Sequence, residues 1–230
     1  MNRTTFAGAL FDCDGVLVDS EPLTNGVLRE MLHELGWQIS EAECVRIFIG
    51  RALKDQWPVI LEHTGVRIDD RWIGEFRERR DAELRQHLVA IPGAYGAVAA
   101  AARVFGGNVA CATGADLAKA TMQLEITGIA PLFAGRVFSG MDQPRSKPAP
   151  DVYLAAAVAL GIHPADALVV EDTVSGVTAG VAAGATVIGV STGGPASTSP
   201  GELLAAGAVR VCGSMSEVAE LIAECEPLRS

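Results

Sequence analysis

Phe6-Ala7-Gly8-Ala9-Leu10-Phe11-Asp12-Cys13-Asp14-Gly15-Val16-Leu17-Val18-Asp19-Ser20 is an apolar run that closes on two carboxylates. Its first six residues have the composition of a buried parallel strand. Two acids ending such a run are poorly explained by packing, because an ionised carboxylate in a core needs a cation or hydrogen-bond donors. Asp12 and Asp14 are two apart, so in an extended strand their side chains leave the same face. A loop ending after Asp14-Gly15 would relax that geometry and let one backbone carbonyl join the site. Such an oxygen cluster suits a hard divalent cation.

The 230-residue chain has room for one large domain or a core with an insertion, and its 49% apolar content fills a sizeable core. A formal net charge of −10 disfavours binding to a phosphate backbone, which depends on clustered Lys and Arg. No nucleic-acid partner is expected. The five cysteines, Cys13, Cys44, Cys111, Cys212 and Cys225, are scattered and never spaced as CxxC. Cys13 and Cys111 lie inside apolar runs and read as small buried hydrophobes rather than metal ligands. A reduced, cytoplasmic setting is expected. The N-terminus does not read as a signal segment, and no run of 18 apolar residues occurs, so no membrane partner is expected.

Outward from the opening stretch, the chain changes character twice. From about Leu23 to Leu88 it is charged and helical in pattern, and it holds all three tryptophans. Leu28, Met31, Leu32 and Leu35 recur at helix spacing before Gly36. Further helices are expected over Lys54 to Thr64 and Asp70 to His87, with no strand. From Pro92-Gly93 onward strands and helices alternate. The strands are read at Asn108–Thr113, Arg136–Phe138, Ala167–Glu171, Ala185–Val190 and Ala208–Val211. The helices are read at Ala94–Val104, Asp116–Thr127, Asp151–Leu160, Ser175–Ala183 and Ser216–Cys225. This predicts βαβ units: an α/β, Rossmann-like parallel sheet flanked by helices, with an inserted all-helical cap domain. Residues 1–19 and 90–230 are assigned to the core, and 20–89 to the cap.

Ligands of such sheets sit beyond the carboxyl ends of the strands, and polar residues collect there. Thr113-Gly114 pairs a hydroxyl with an unhindered backbone N–H ahead of a helix, an anion-binding arrangement. Lys147 lies in Arg145-Ser-Lys-Pro-Ala-Pro-Asp151, where two prolines stiffen the loop and place the ammonium group. Glu171-Asp172 closes a further strand and supplies more carboxylates for a cation held by Asp12.

These segments resemble the haloacid dehalogenase superfamily, in the branch whose helical cap follows the first strand. Asp12-x-Asp-Gly-Val-Leu-Val-Asp-Ser-Glu21, Thr113, Lys147-Pro-x-Pro-Asp151 and Val170-Glu-Asp-Thr-x-x-Gly176 match its four motifs in order, over nearly the whole chain. The resemblance implies that Asp12 is the nucleophile and becomes an aspartyl phosphate. It implies that Asp14 is the general acid and base. Thr113 and the Gly114 N–H would hold the transferring phosphoryl oxygens, and Lys147 would offset the charge of Asp12 and phosphate. Mg²⁺ would be bound by Asp12, the Asp14 carbonyl and Asp172, with Glu171 ligating it or holding a metal-bound water. Asp19 and Ser20 would fall at the cap junction of a moving lid.

The expected activity is therefore Mg²⁺-dependent hydrolysis of a small phosphorylated metabolite, a sugar phosphate or a related sugar-acid or polyol phosphate. The alternative is a β-phosphoglucomutase-type isomerase, which the family builds on the same core and cap. Where those mutases carry a histidine, the ungapped motif places Thr24. A 2-haloacid dehalogenase would not need Asp14. Phosphonate hydrolysis would need a cap lysine, and Lys54 is the only one available. A phosphorylation-switch receiver domain has no place for the helical insertion. Gly50-Arg51, Lys54 and the arginines at 77–80, Arg80 among them, form a positive patch suited to a second anionic group on the substrate. A monomer is expected, because the cap must open.

Overall fold

The computed structural model describes residues 5–48, 53–193 and 197–228. In chain order the strands are β1 (Thr5–Phe6), β2 (Gly8–Phe11), β3 (Val109–Thr113), β4 (Val137–Ser139), β5 (Ala167–Glu171), β6 (Thr186–Val190), β7 (Arg210–Cys212) and β8 (Glu226–Pro227). Six of them form one sheet in the order β4-β3-β2-β5-β6-β7, and every neighbouring pair is parallel. Parallel neighbours need crossovers, and the helices supply them. The helices are α1 (Glu21–Glu34), α2 (Glu41–Phe48), α3 (Trp57–Thr64), α4 (Asp70–His87), α5 (Ala94–Val104), α6 (Leu117–Ile126), α7 (Ala130–Phe133), α8 (Asp151–Leu160), α9 (Val174–Ala182), α10 (Pro200–Ala205) and α11 (Met215–Ala223). The fold is α/β: a parallel sheet flanked by helices, interrupted by an all-helical insertion.

Two compact units result. One holds the chain up to Asp19, Val89–Gly193 and the chain from Ser197; the other holds Ser20–Leu88. In the first, β2, β3 and β5 are buried at every position, as strands covered on both faces should be. Their side chains pack with Val152, Tyr153 and Ala156 of α8 and Val177 and Ala179 of α9. The helical unit has its own core of Val27, Leu28, Met31, Leu32, Ile39, Cys44, Phe48, Ile60, Ile68 and Phe76, against which Trp37, Trp57 and Trp72 pack. In α4 the buried residues Phe76, Arg80 and Leu84 recur every four positions, one stripe of an otherwise charged helix.

Several elements differ from the sequence expectation. Residues Leu53–Gln56 form a 3₁₀ turn, and α3 begins only at Trp57, with Pro58 in its first turn. Helices α2 and α10 were not expected, yet each begins with a Ser-x-x-Glu capping box. Ser40 donates to Glu43 Oε2 at 2.7 Å, and the Glu43 N–H donates back to Ser40 Oγ at 3.3 Å. Ser199 and Glu202 repeat that arrangement at α10. The apolar run at the N-terminus is divided, with β1 pairing β8 outside the main sheet. Among the described residues, no helix is long and apolar enough to cross a membrane.

Candidate active site

The register of the sheet sets the geometry. Phe11 lies opposite Cys111 on one side and Val170 on the other. Asp12 continues that register, its N–H donating to the Val170 carbonyl at 3.0 Å. This brings Asp12 level with Glu171 and places Thr113 on the adjoining strand end. Carboxylate oxygens of Asp12, Glu171 and Asp172 all lie within 4.8 Å of one another.

Asp14 is beyond the strand, in a tight loop. The Leu17 and Val18 N–H groups both donate to the Cys13 carbonyl, at 2.8 and 3.1 Å, and the Gly15 N–H donates to Val18 at 3.0 Å. Gly15 has φ +78°, and a Cβ there would overlap the Asp172 carboxylate. Glycine is required on both counts. The two aspartates thus do not extend from one strand face as their spacing suggests; the turn separates them.

Each has its own cation. Lys147 Nζ donates to Asp12 Oδ1 at 2.7 Å, to Glu171 Oε1 at 2.7 Å and to the Ala112 carbonyl at 3.0 Å. Lys119 Nζ donates to both oxygens of Asp14, at 2.7 and 2.8 Å. Burial pushes the Asp12 carboxyl up to about 7, with Lys147 pulling it back and Glu171 pushing it further up. The Lys147 ammonium is desolvated too, but Asp12 and Glu171 outweigh that and hold its pKa well above the ordinary lysine value. Lys147 therefore stays charged.

Glu171 has no exposure to solvent, and its two oxygens accept five hydrogen bonds. Lys147 Nζ and Tyr153 Oη reach Oε1, both at 2.7 Å. The Asp172 N–H, the Thr173 N–H and Thr173 Oγ1 reach Oε2, at 3.0, 3.2 and 3.1 Å. A Cβ on Gly176 would overlap this carboxylate. Burial disfavours the charged Glu171, but these donors, Lys147 foremost, outweigh it and hold its pKa below the usual range. Glu171 thus holds Lys147, and it remains within reach of the oxygens of Asp12 and Asp172 that could share a cation. The carboxylate of Asp14 also accepts from protein donors.

The donor set still fits one divalent cation. Four carboxylates (Asp12, Asp14, Glu171, Asp172) and two ammonium groups (Lys119, Lys147) leave two formal negative charges, four minus two. Oxygen donors of this type match Mg²⁺. Thr113 is buried, and its Oγ1 accepts from the Ala115 N–H at 3.1 Å, which leaves the hydroxyl hydrogen available to donate. Around Gly114 a Cβ would meet nothing within 4 Å, so the backbone there is open.

The residues expected to contact substrate divide differently. Arg51 lies outside the described residues. Lys54 is exposed on the 3₁₀ turn. Arg80 is 8% exposed and bonds Asp81 through Nε at 2.8 Å and Nη2 at 2.6 Å. Arg79 pairs with Glu34 at 2.6 Å and with Glu75. Arg79 and Arg80 are therefore paired with acids within the helical unit, whereas Lys54 is exposed. Three residues went unread in the sequence: Lys119, Gln123 and Tyr153. A lysine and a glutamine four apart beside Ala120 and Leu124 on the buried face of a helix were a visible anomaly.

Relatives carry the same core. The chain is 32% identical over 195 residues to hexitol phosphatase A of Escherichia coli, covering 80% of this chain and 82% of that protein. It is 32% identical over 184 residues to a bifunctional riboflavin kinase/FMN phosphatase of Arabidopsis thaliana, covering 79% of this chain but spanning only 47% of that longer protein. The crystal structure of a haloacid dehalogenase-like protein from Agrobacterium tumefaciens superposes with a TM-score of 0.80 at 30% identity, covering 95% of this chain and 98% of that one. A family model described as haloacid dehalogenase-like hydrolase matches residues 6–184, and the chain belongs to that family.

Proposed function

We propose that the protein is a Mg²⁺-dependent phosphatase that hydrolyses a small phosphorylated metabolite, a sugar, sugar-acid or polyol phosphate, through an aspartyl phosphate on Asp12. The observation that carries this reading is the separation of the two loop acids. Asp12 lies among Lys147, Glu171 and Asp172, while Asp14 is held apart by Lys119. This arrangement supports a division of labour in which one carboxylate attacks and the other moves a proton.

In the first step an Asp12 oxygen bonds to phosphorus as the bond to the ester oxygen breaks. The departing oxygen takes the electron pair and a proton from Asp14. In the second step water attacks the phosphorus, Asp14 takes back a proton, and the Asp12–phosphorus bond breaks to release phosphate. Thr113 and the Gly114 N–H are assigned to the phosphoryl oxygens, and Lys147 to the charge that accumulates between Asp12 and phosphate. Asp12, Asp172 and the Asp14 carbonyl would hold Mg²⁺, which when bound neutralises charge between nucleophile and substrate.

The polyol or sugar class follows from the likeness to a hexitol phosphatase. Thr24 supports hydrolysis over isomerisation. Its Oγ1 is buried without a hydrogen-bond partner among the described residues, and it stands where the mutases carry a histidine. The test is a screen of phosphate esters with Mg²⁺, using Asp12→Asn as the blank. We expect phosphate release from hexitol or sugar phosphates that disappears in Asp12→Asn and after chelation. β-Glucose 1-phosphate, with a bisphosphate primer, is included: conversion to glucose 6-phosphate without phosphate release would replace the phosphatase reading by the mutase.

A further inference from the structure

Asp14 is gripped from a different element than Asp12, and the grip is specific. Lys119 reaches both of its oxygens, and Gln123 Nε2 donates to Oδ1 at 2.9 Å. Lys119 and Gln123 are four apart, so one face of α6 carries both donors. Neither is a surface group: Gln123 is fully enclosed and Lys119 is 8% exposed. The Cys13 thiol donates to Gln123 Oε1 at 3.7 Å, which orients the amide with its nitrogen toward Asp14.

Burying an ammonium group is costly, and a buried ion pair is weak evidence for stability. What this pair supplies is a fixed direction for a carboxylate that keeps 23% side-chain exposure at the end of a loop. We propose that Lys119 and Gln123 are positioning residues that aim Asp14, first at the departing ester oxygen and then at the attacking water. The proposal rests on the phosphatase reading and on Asp14 as its acid and base.

It has a signature that a merely structural role lacks. An alkoxide leaving group needs the proton of Asp14, whereas p-nitrophenolate departs without it. Deprotonation of the water is needed whichever alcohol has left. Lys119→Met should therefore lower kcat/KM for a hexitol phosphate by about 10²-fold, the scale of a misdirected general acid. It should leave kcat/KM for p-nitrophenyl phosphate nearly unchanged. With that ester, slow hydrolysis of the aspartyl phosphate should appear as a burst of about one p-nitrophenolate per enzyme.

The experiment compares wild type, Lys119→Met, Lys119→Arg and Gln123→Met on both esters, by steady-state and stopped-flow kinetics with Mg²⁺ present. Lys119→Arg should recover part of the loss, and Gln123→Met should show a smaller loss of the same asymmetry. Equal losses on the two esters without a burst would overturn the proposal. If Lys119→Met does not fold, Gln123→Met, which keeps the ion pair, decides by the same asymmetry. Asp12→Asn runs alongside. If it turns over either ester, the phosphatase reading falls and the positioning role with it. If it is inert but the asymmetry is absent, only the positioning role falls.

Discussion

Glu171 is the residue whose environment departs furthest from what its place beside Asp172 suggests. The two oxygens of this buried carboxylate accept five hydrogen bonds, so its charge is solvated by protein donors. Lys147 Nζ is shared between it and Asp12, at 2.7 Å from each. Tyr153 completes the arrangement: its hydroxyl donates to Glu171, and its ring lies 4.8 Å from Lys147 Nζ. Tyr153→Phe removes one donor from a buried charge, a loss of about 1.5–3 kcal/mol. We expect a melting temperature lower by about 2–4 °C for each kcal/mol lost, together with reduced kcat. Calorimetry and kinetics check this; an unchanged melting temperature would mean the hydroxyl contributes nothing. Gly15→Ala tests the other side of the site. The strained φ costs about 1 kcal/mol, and the added methyl displaces Asp172. The Mg²⁺ concentration for half-maximal activity should rise severalfold, a shift that a purely conformational penalty would not produce.

Among the elements, α6 has a double role, as a sheet-covering helix and as the carrier of Lys119 and Gln123. Its N-cap is Asp116, which accepts from the Lys119 N–H at 2.8 Å. The cap of α11 is Ser214, which accepts from the Glu217 N–H at 3.2 Å. Asp116→Ala and Ser214→Ala should each cost about 1 kcal/mol of stability. Only Asp116→Ala should also lower kcat/KM on a hexitol phosphate, because only α6 ends against Asp14. Equal activity in the two variants would detach α6 from the chemistry. How an element was read depended on how local its signal was. The stripe of α4 and the apolar runs of β3 and β5 lie within single segments, and their bounds were legible to within a residue or two. The Ser-x-x-Glu boxes of α2 and α10 are equally local, but the helices behind them are too short for a hydrophobic period to show. The short pair β1 and β8 was illegible for a different reason: its partners are more than 200 residues apart, and Phe6 reads as part of the longer run that continues into β2.

At the scale of the molecule, the carboxylate centre couples stability to pH, and with the proposed cation it should couple stability to metal as well. In the presence of a chelator, the folded Asp12 carboxyl titrates near 7, against 3.8 for an ordinary aspartate. Between those values the folded protein holds a proton that the unfolded chain has released. The stability that proton supplies is present at the acidic end and is lost as pH rises through 7. Glu171 acts in the opposite sense, its contribution being lost only as pH falls below the ordinary glutamate range. Melting in EDTA should therefore show a destabilising contribution between about pH 5 and 7.5. Mg²⁺, which competes with the Asp12 proton, should raise the melting temperature more at pH 7.5 than at pH 5. Equal increments at both pH values would remove Asp12 from the cation site. The sequence by itself determined the parallel α/β core and the helical insertion, and it singled out the acids at the strand ends with Thr113 and Lys147 as one candidate site. Hydrophobic period and short motifs are properties of contiguous residues, and they survive without knowledge of what lies across the sheet. Only the tertiary structure decided which cation serves which aspartate, that Glu171 accepts five hydrogen bonds, and that Arg79 and Arg80 are already paired. Those outcomes depend on side chains brought together from distant segments, and hydrogen-bond saturation or charge neutralisation is a property of the assembled neighbourhood, not of any residue's place in the chain.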